Sequence, residues 1–193
     1  YYFSDNIPGW PSDAFNSFVL AEITRFEKKQ EIQAPLHTVI FAITNRCYLR
    51  CTHCFEWQNI SAKDILSAQD LKTIMQKLYD LNVHHIQLSG GEPLARFDDL
   101  TDLIRSAPQG IDLWILTSGF GLTDEKAVAL KKAGLVGADI SLDHWNEKLH
   151  NAFRNNDNSY HWVSEAVKNC GRSGILTSLS LCVTKQFISE YNL

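Results

Sequence analysis

The sequence has no cluster of basic residues, and its 18 lysines and arginines are outnumbered by 22 aspartates and glutamates, for a formal charge of −4. Nucleic-acid-binding domains concentrate positive charge on one surface, so we expect no nucleic-acid partner. No apolar run reaches the roughly 20 residues of a transmembrane helix, so we expect no membrane partner. The first residues lack the basic and then apolar order of a secretory signal peptide. These absences favour a cytoplasmic protein.

The sequence also lacks the even number of cysteines expected of a disulfide-bonded domain. It has five, of which three crowd into the segment Asn45–Gln58 and two, Cys170 and Cys182, stand apart. An odd and clustered set is typical of metal or redox chemistry in a reducing compartment. We interpret Cys170, on a predicted helix, and Cys182, within a predicted strand, as buried unpaired thiols.

Hydrophobic periodicity divides the chain into a helical lead-in and an alternating region. Apolar residues at helical spacing predict an amphipathic helix over 13–30, within a lead-in that we place at 1–35. From residue 36 onward the two periods alternate. Strands are predicted at 38–44, 84–90, 112–119, 137–143 and 176–184; helices are predicted between them at 67–82, 97–107, 123–134 and 160–174. The β-branched run of the first strand predicts burial on both faces.

The fold class predicted from this alternation is α/β with a parallel sheet, because short β-α-β connections are right-handed crossovers. Unusual residues lie at the carboxyl ends of four consecutive strands: the cysteines, Gly-Gly-Glu-Pro, Thr-Ser-Gly and Ser-Leu-Asp. A rim built from many strand ends favours a barrel over an open doubly wound sheet, whose site lies at one switch point. Because the chain begins with Tyr1 and stops within the pattern, we expect 36–193 to be a core that is incomplete at its C-terminus.

The clustered cysteines are spaced C-x-x-x-C-x-x-C, at Cys47, Cys51 and Cys54. Thiolates are soft ligands that suit zinc, copper(I) and iron–sulfur clusters. A cubane cluster usually takes one cysteine per iron, so three cysteines leave one iron open to another ligand. The alternative is a structural zinc completed by one histidine, either His53 or His144. The spacing favours the cluster and leaves the zinc site open.

The second motif, "LSGGEPL" (88–94), places two glycines at a strand end and a carboxylate, Glu92, before a proline. Paired glycines let a ligand approach the backbone closely, and exposed amides there can bind it. The carboxylate could accept hydrogen bonds from a cationic amine. An ordinary turn between strand and helix has the same composition, so the motif alone does not establish a site.

Together, the cysteine spacing after the first strand and Gly-Gly-Glu-Pro after the second resemble the radical S-adenosylmethionine (radical SAM) superfamily over residues 36–184. The resemblance implies a partial (β/α)6 TIM-like barrel, with about five β-α units in this chain. It implies a 4Fe–4S cluster on Cys47, Cys51 and Cys54, whose open iron chelates S-adenosylmethionine. The implied activity is reductive cleavage of this cofactor to a 5′-deoxyadenosyl radical, which abstracts hydrogen from a substrate.

The resemblance also implies contacts to S-adenosylmethionine. Gly90, Gly91 and Glu92 would bind its methionyl end, and His53, just before the third cysteine, would stack near its adenine. Ser141 of Ser-Leu-Asp would contact the cofactor's polar groups.

Two further positions carry over with substitutions. The segment "HNAFRN" (150–155) is similar to an H-D-x-x-R-G pattern with Asn in place of Asp and Gly, which implies that Arg154 pairs with the cofactor carboxylate. Ser118 stands where relatives often have the Asn of Thr-Asn-Gly, and its hydroxyl can still hydrogen-bond.

The H-x-x-x-R similarity implies a branch that matures peptides and small cofactors, so we expect a peptide or small-molecule substrate such as a cofactor precursor. A flavodoxin or ferredoxin is the expected electron donor. No residue is assigned as catalytic. The alternative function is a non-catalytic barrel with a structural zinc at the cysteine loop.

Overall fold

The computed structural model describes residues 7–27, 36–61 and 63–191. Its centre is a parallel sheet in the order β1-β2-β3-β4-β5, with each strand beside its sequence neighbours. The strands are Thr38–Ala42 (β1), His85–Ser89 (β2), Asp112–Thr117 (β3), Gly137–Ser141 (β4) and Leu176–Ser180 (β5). Consecutive order with parallel pairing means that every connection crosses over on the same side, as the alternation predicts.

Helices form the connections and the lead-in. They are Asp13–Glu27 (α1), Ala68–Asp80 (α2), Phe97–Ser106 (α3), Asp124–Ala133 (α4), Glu147–Arg154 (α5), Ser159–Ser173 (α6) and Lys185–Tyr191 (α7), with a 3-10 turn at Pro93–Arg96. Of the helix predicted over 13–30, residues 28–30 lie outside the described residues, as does the predicted domain boundary at 35/36. No helix in the described ranges combines the length and apolarity needed to cross a bilayer.

The five parallel strands form an unclosed α/β arrangement, which confirms the predicted partial TIM-like barrel. Within the described residues β1 pairs only with β2, and β5 only with β4, so the sheet has two edges. Leu88, Ile115 and Ile140 are fully buried in the hydrophobic core. Alternate residues of a strand point to opposite faces, which leaves Asp139 and Ser141 of β4 on the cavity side.

The prediction that the first strand is buried on both faces is wrong. Ile40, in the middle of β1, is 63% exposed, whereas Phe41 beside it is buried. The reason is the position of β1 at an edge of the sheet, where only one of its faces packs against the rest of the chain. Composition could not reveal this, because a β-branched run reports strand propensity and not the strand's place in the sheet.

Local signals set the helix boundaries. Ser67 and Asp70 form the predicted capping box, with the hydroxyl of Ser67 accepting from Asp70 N and the carboxylate of Asp70 accepting from Ser67 N. Gly134 ends α4 in the left-handed conformation, with φ 117°. These two features explain why α2 and α4 lie where the sequence places them.

The short helix α5, within "HNAFRN" and the residues before it, was not predicted. It ends at Arg154 and is capped by Asn155, whose φ of 53° is left-handed. Asn is the residue that best tolerates this conformation after Gly, so it fills the position of the pattern's Gly. The other substituted position, Asn151, accepts from the backbone N–H of Tyr160 and so ties α5 to the first turn of α6.

Candidate functional site

The carboxyl ends of the strands surround a cavity of about 300 Å³. Most of its wall comes from the cysteine loop (43–67), which follows β1, and the Gly-Gly-Glu turn (90–92), which follows β2. Every predicted site residue lines this cavity: Cys47, Cys51, His53, Cys54, Gly90, Gly91, Glu92, Ser118, Ser141 and Arg154. Residues spread over more than a hundred positions in the chain therefore meet at one site, as the barrel interpretation requires.

The three clustered thiols are half-buried in this wall and free of disulfides. Burial is the largest cause that raises the pKa of Cys47, and it also raises that of Cys51, where the nearby Arg154 opposes the increase. Among the described residues, no three His, Cys, Asp or Glu side chains converge as ligands for a single metal ion. A tetrahedral zinc at about 2.3 Å from each sulfur would need such convergence. A cubane binds each thiolate to a separate iron and so accepts more widely spaced thiols.

The Gly-Gly-Glu turn packs directly on the cysteine loop. Gly91 N donates to Thr44 O at 2.8 Å and Glu92 N donates to Arg46 O at 2.7 Å, so these two amides already have partners within the protein. A Cβ on Gly90 would lie 2.3 Å from Thr44 O, and one on Gly91 would lie 2.4 Å from Arg46 O. The glycines are thus required for the close approach of two protein backbones, and the amides of Gly91 and Glu92 are not available to a ligand.

Glu92 is 2% exposed and is held by four protein donors. One carboxylate oxygen accepts from Thr117 Oγ1 at 2.7 Å and from Leu94 N at 3.2 Å. The other accepts from Ser118 N at 2.9 Å and from Ser118 Oγ. Burial raises the pKa of Glu92 above its ordinary value, and these bonds offset only part of the rise. Because a carboxylate has about four lone-pair sites, these donors fill it and leave Glu92 to act on a ligand as a fixed negative charge.

Arg154 is buried and engaged at two of its nitrogens. Its Nε donates to Asp143 Oδ2, and its Nη1 donates to Cys51 Sγ at 3.6 Å. One turn earlier in α5, His150 Nδ1 accepts from Asp143 N at 3.2 Å. The H-x-x-x-R spacing therefore places both side chains on one helix face, where they hold a single residue at the end of β4. A two-pronged contact of Arg154 with a carboxylate would have to use the remaining N–H groups of its guanidinium.

His53 stacks on Phe153 of α5, with ring centroids 5.0 Å apart and planes 12° from parallel. Burial is the main cause that lowers its pKa, and Arg154 lowers it further. His53 lies at the edge of the cavity, and its lowered pKa favours the neutral ring. His144, the other candidate for a zinc ligand, lines a separate cavity of about 260 Å³ together with Phe187 of α7.

An ion-pair network behind the site was not predicted. Asp64, near the end of the cysteine loop, accepts from Arg46 at 2.7 Å and from the hydroxyl of Thr44. The buried Arg96 donates to Ile43 O at 2.9 Å and lies 3.6 Å from the same carboxylate. Burial raises the pKa of Asp64, but the hydrogen bonds from Thr44 and Arg46 outweigh it and lower the pKa overall. Asp64 thus joins the end of the cysteine loop to its beginning, just after β1.

The family of the chain is established by comparison with models of known protein families. The model of the radical SAM superfamily matches residues 41–190, which span the cysteine loop, the Gly-Gly-Glu turn and all of β2 to β5. The chain belongs to the radical SAM superfamily. Members of this superfamily use a 4Fe–4S cluster and S-adenosylmethionine, which agrees with the cofactors predicted from the sequence.

Individual radical SAM proteins are similar to this chain at 20–30% sequence identity. Fe-coproporphyrin III synthase of Methanosarcina barkeri is 30% identical over 154 residues, which cover 79% of this chain and 38% of that enzyme. Among solved structures, anSMEcpe with bound AdoMet has a TM-score of 0.64 at 22% identity, over 82% of this chain and 46% of that one. Streptococcus suis SuiB, solved with its precursor peptide SuiA, has a TM-score of 0.57 at 20% identity, over 93% and 47%. The two structures establish the fold alone, and the chain spans less than half the length of these proteins.

The two cysteines outside the cluster, Cys170 and Cys182, were predicted to be buried on a helix and within a strand. Cys170, on α6, is fully buried, as predicted. Cys182 was predicted within a strand, but β5 ends at Ser180, and Cys182 lies half-buried in the following loop. The prediction failed because an apolar run has no signal for the residue at which strand pairing stops.

Other cavity residues were missed by sequence reasoning. Thr117, Asp139 and Ser180 line the cavity with the predicted set. The signal that could have found Asp139 is strand alternation, because it lies two residues before Ser141 and therefore on the same face. Asp143 was noted only as part of Ser-Leu-Asp, and its role became visible through its contact with Arg154.

Proposed function

We propose that this chain binds a 4Fe–4S cluster through Cys47, Cys51 and Cys54 and acts on S-adenosylmethionine held in the cavity beside them. The observation that carries the proposal is the convergence of these thiols and the Gly-Gly-Glu turn on one cavity. Its volume of about 300 Å³ is within the range of small-molecule sites, which begins at about 300 Å³. Membership in the radical SAM superfamily supports the same cofactor pair.

Different residues would bind the cluster and the ammonium group of S-adenosylmethionine. Each of the three thiolates would hold one iron, which leaves the fourth iron for the cofactor. Glu92, fixed by Thr117 and Ser118, would place a negative charge opposite the cofactor's ammonium group. Gly90 and Gly91 would offer carbonyl oxygens to the same group.

The other predicted contacts belong to the rest of the cofactor. His53 would stack near the adenine, Ser141 would hydrogen-bond the cofactor's polar groups, and the free N–H groups of Arg154 would face the carboxylate. All three line the cavity. Ser118 would act through Glu92, to which it donates two hydrogen bonds.

When bound, the cluster would supply one electron that cleaves S-adenosylmethionine to methionine and a 5′-deoxyadenosyl radical, which abstracts hydrogen from a substrate. The residues of the chain bind and orient the reactants and limit access of water to them. The strand ends and the cysteine loop around the cavity would serve this purpose on the sides that they cover, because a reactive species must be kept from solvent and from unintended C–H bonds.

A zinc-binding barrel without catalysis is the second candidate. It would use the same three thiols, and the observation in its favour is that His53 lines their cavity. Membership in the radical SAM superfamily, whose members use a 4Fe–4S cluster, favours the cluster instead.

We further propose a peptide or cofactor precursor as substrate and a flavodoxin or ferredoxin as electron donor. The similarity to a synthase of an iron coproporphyrin and to SuiB, solved with its precursor peptide, supports these substrate classes. We also propose a cytoplasmic location, since free clustered thiols suit a reducing compartment, and a division into a lead-in at 1–35 and a radical SAM core at 36–193.

The test is anaerobic reconstitution of the full chain with iron and sulfide, followed by EPR spectroscopy of the reduced protein. We expect a brown protein with about four irons per chain, whose spectrum changes when S-adenosylmethionine is added. A colourless protein that takes up one zinc and no iron would favour the second candidate.

A further inference from the structure

Asp143, Arg154 and Cys51 form a series of side-chain contacts that links the segment after β4 to one of the clustered cysteines. Asp143 is 5% exposed and Arg154 is 8% exposed. Nε of Arg154 donates to the Asp143 carboxylate, and Nη1 points at Cys51 Sγ from 3.6 Å. A buried guanidinium needs such partners, because an unpaired charge in the interior is strongly destabilising.

Three further hydrogen bonds hold the contacts among Asp143, Arg154 and Cys51 in place. Asp143 Oδ1 accepts from Cys182 N at 3.3 Å, and Asp143 N donates to His150 Nδ1 at 3.2 Å. The cysteine loop is attached to α5 directly, since Thr52 N donates to Phe153 O at 2.9 Å. The residues next to Cys51 and to Arg154 are therefore hydrogen-bonded through their backbones, which keeps the cysteine loop close to α5.

We propose that Arg154 is a positioning and charge-tuning residue for the cluster: it donates a hydrogen bond to the sulfur of Cys51, and Asp143 holds it in the orientation that makes this possible. The inference rests on the proposed function, because it requires Cys51 to be a cluster ligand. Hydrogen bonds to the ligating sulfurs are among the factors that set the reduction potential of an iron–sulfur cluster. A cation that also donates a hydrogen bond withdraws charge from the thiolate, so it favours the reduced, more negative cluster. Arg154 thereby makes the cluster easier to reduce.

The role is compatible with a contact to the cofactor carboxylate, because a guanidinium has five N–H donors and the two contacts above use two of them. Tuning of the cluster and binding of the carboxylate predict different effects of replacing Arg154. A residue that only binds the carboxylate would change the affinity for S-adenosylmethionine and leave the potential of the cluster unchanged in the cofactor's absence.

The experiment is a redox titration of the reconstituted full chain, followed by EPR, without S-adenosylmethionine. Arg154→Met keeps the length of the side chain but removes its charge and its donors, and we expect a more negative midpoint potential with iron and sulfide contents unchanged. Arg154→Lys keeps the charge without the planar fork, so its potential should fall between the other two. The matched control is Arg172→Met, which removes an exposed arginine on α6 and should leave the potential at the wild-type value.

The experiment tests cluster binding and the tuning role of Arg154 separately. If the wild-type chain takes up no cluster, the proposed function fails and the inference fails with it. If the cluster forms and the potentials of Arg154→Met and Arg154→Lys both equal that of the wild type, the tuning role is overturned while the proposed function stands. If Arg154→Met does not fold, the potential of Arg154→Lys decides alone.

The proposed role of Asp143 in orienting Arg154 is tested by a separate measurement. A double-mutant cycle compares the potentials of Asp143→Asn, Arg154→Met and the double variant. If Asp143 acts by orienting Arg154, the shift caused by Asp143→Asn will differ between the wild type and the Arg154→Met variant, where no guanidinium remains to be oriented. Strictly additive shifts would show that Asp143 acts on the cluster independently, and would overturn its positioning role.

Discussion

Ser118 donates two hydrogen bonds to the same carboxylate oxygen of Glu92, one from its backbone N–H at 2.9 Å and one from its hydroxyl. The two residues come from different strand ends and are 26 positions apart in the chain. The hydroxyl that replaces the more common Asn therefore serves a protein partner. It holds Glu92 in place where the sequence suggested a direct contact with the ligand.

Replacement of Glu92 by Gln should weaken binding of S-adenosylmethionine roughly 10- to 100-fold, because it removes a buried negative charge opposite the ammonium group. At an effective dielectric constant of about 20, two charges about 6–8 Å apart attract each other by about 2–3 kcal/mol. The same replacement should also lower the melting temperature, since an amide NH2 cannot accept from Ser118 or Thr117. Isothermal titration and thermal denaturation of the reconstituted protein measure the two effects. Glu165→Gln, on the exposed face of α6, is the control. Wild-type affinity in the Glu92 variant would remove Glu92 from the site.

Replacement of any one of Cys47, Cys51 and Cys54 by Ala should abolish the S-adenosylmethionine-sensitive EPR signal and reduce the iron content, because each thiolate is proposed to hold a separate iron. Cys170→Ala and Cys182→Ala are the matched controls and should keep both properties. A variant of the first group with full iron content and an unchanged spectrum would show that its cysteine is not a ligand.

The buried Cys170 should be the least reactive thiol of the folded protein. Burial raises its pKa to about 11, from an ordinary value of 9.0. At pH 8 its thiolate fraction is then about 100-fold lower than that of an ordinary thiol, and the thiolate is the reactive form. Alkylation with iodoacetamide followed by mass spectrometry should label the cysteine loop long before Cys170. Early labelling of Cys170 in the folded protein would contradict its burial, whereas unfolding in urea should remove the difference.

His150 should make the folded protein less stable as the pH falls. Burial is the main cause, followed by Arg154, that lowers its pKa from 6.5 to about 4. Between these values the unfolded chain binds a proton that the folded chain does not, so the stability is complete above about pH 6.5 and declines towards pH 4, by roughly 3 kcal/mol in all. Urea denaturation at pH 7 and pH 5 measures part of this decline.

The variant His150→Gln should reduce the difference between the two pH values by about 2 kcal/mol, since one pKa unit corresponds to about 1.4 kcal/mol. His161→Gln replaces an exposed histidine on α6 and should leave the difference as in the wild type. If His150→Gln has the same pH dependence as the wild type, another group is responsible for it.

Much of the fold follows from local patterns in the sequence. The alternation of two hydrophobic periods predicted the five strands, and Ser67, Asp70 and Gly134 predicted helix ends that the structure confirms. These signals work because capping and periodicity depend on residues within one or two helical turns. The cysteine spacing and Gly-Gly-Glu-Pro likewise sufficed to identify the superfamily, since both motifs are contiguous in the chain.

The partners of the site residues were decided by tertiary structure. Arg154 is 103 positions from Cys51, and nothing near either residue in the sequence records that they are in contact. The same holds for the glycines of the Gly-Gly-Glu turn, whose missing side chains make room for the backbone of Thr44 and Arg46. A residue's own chemistry states how many hydrogen bonds it can make, but the sheet decides which groups are within reach. The sequence by itself therefore determined the strands, the helix ends and the superfamily, and only the packing of the strand ends determined how Glu92 and Arg154 are held.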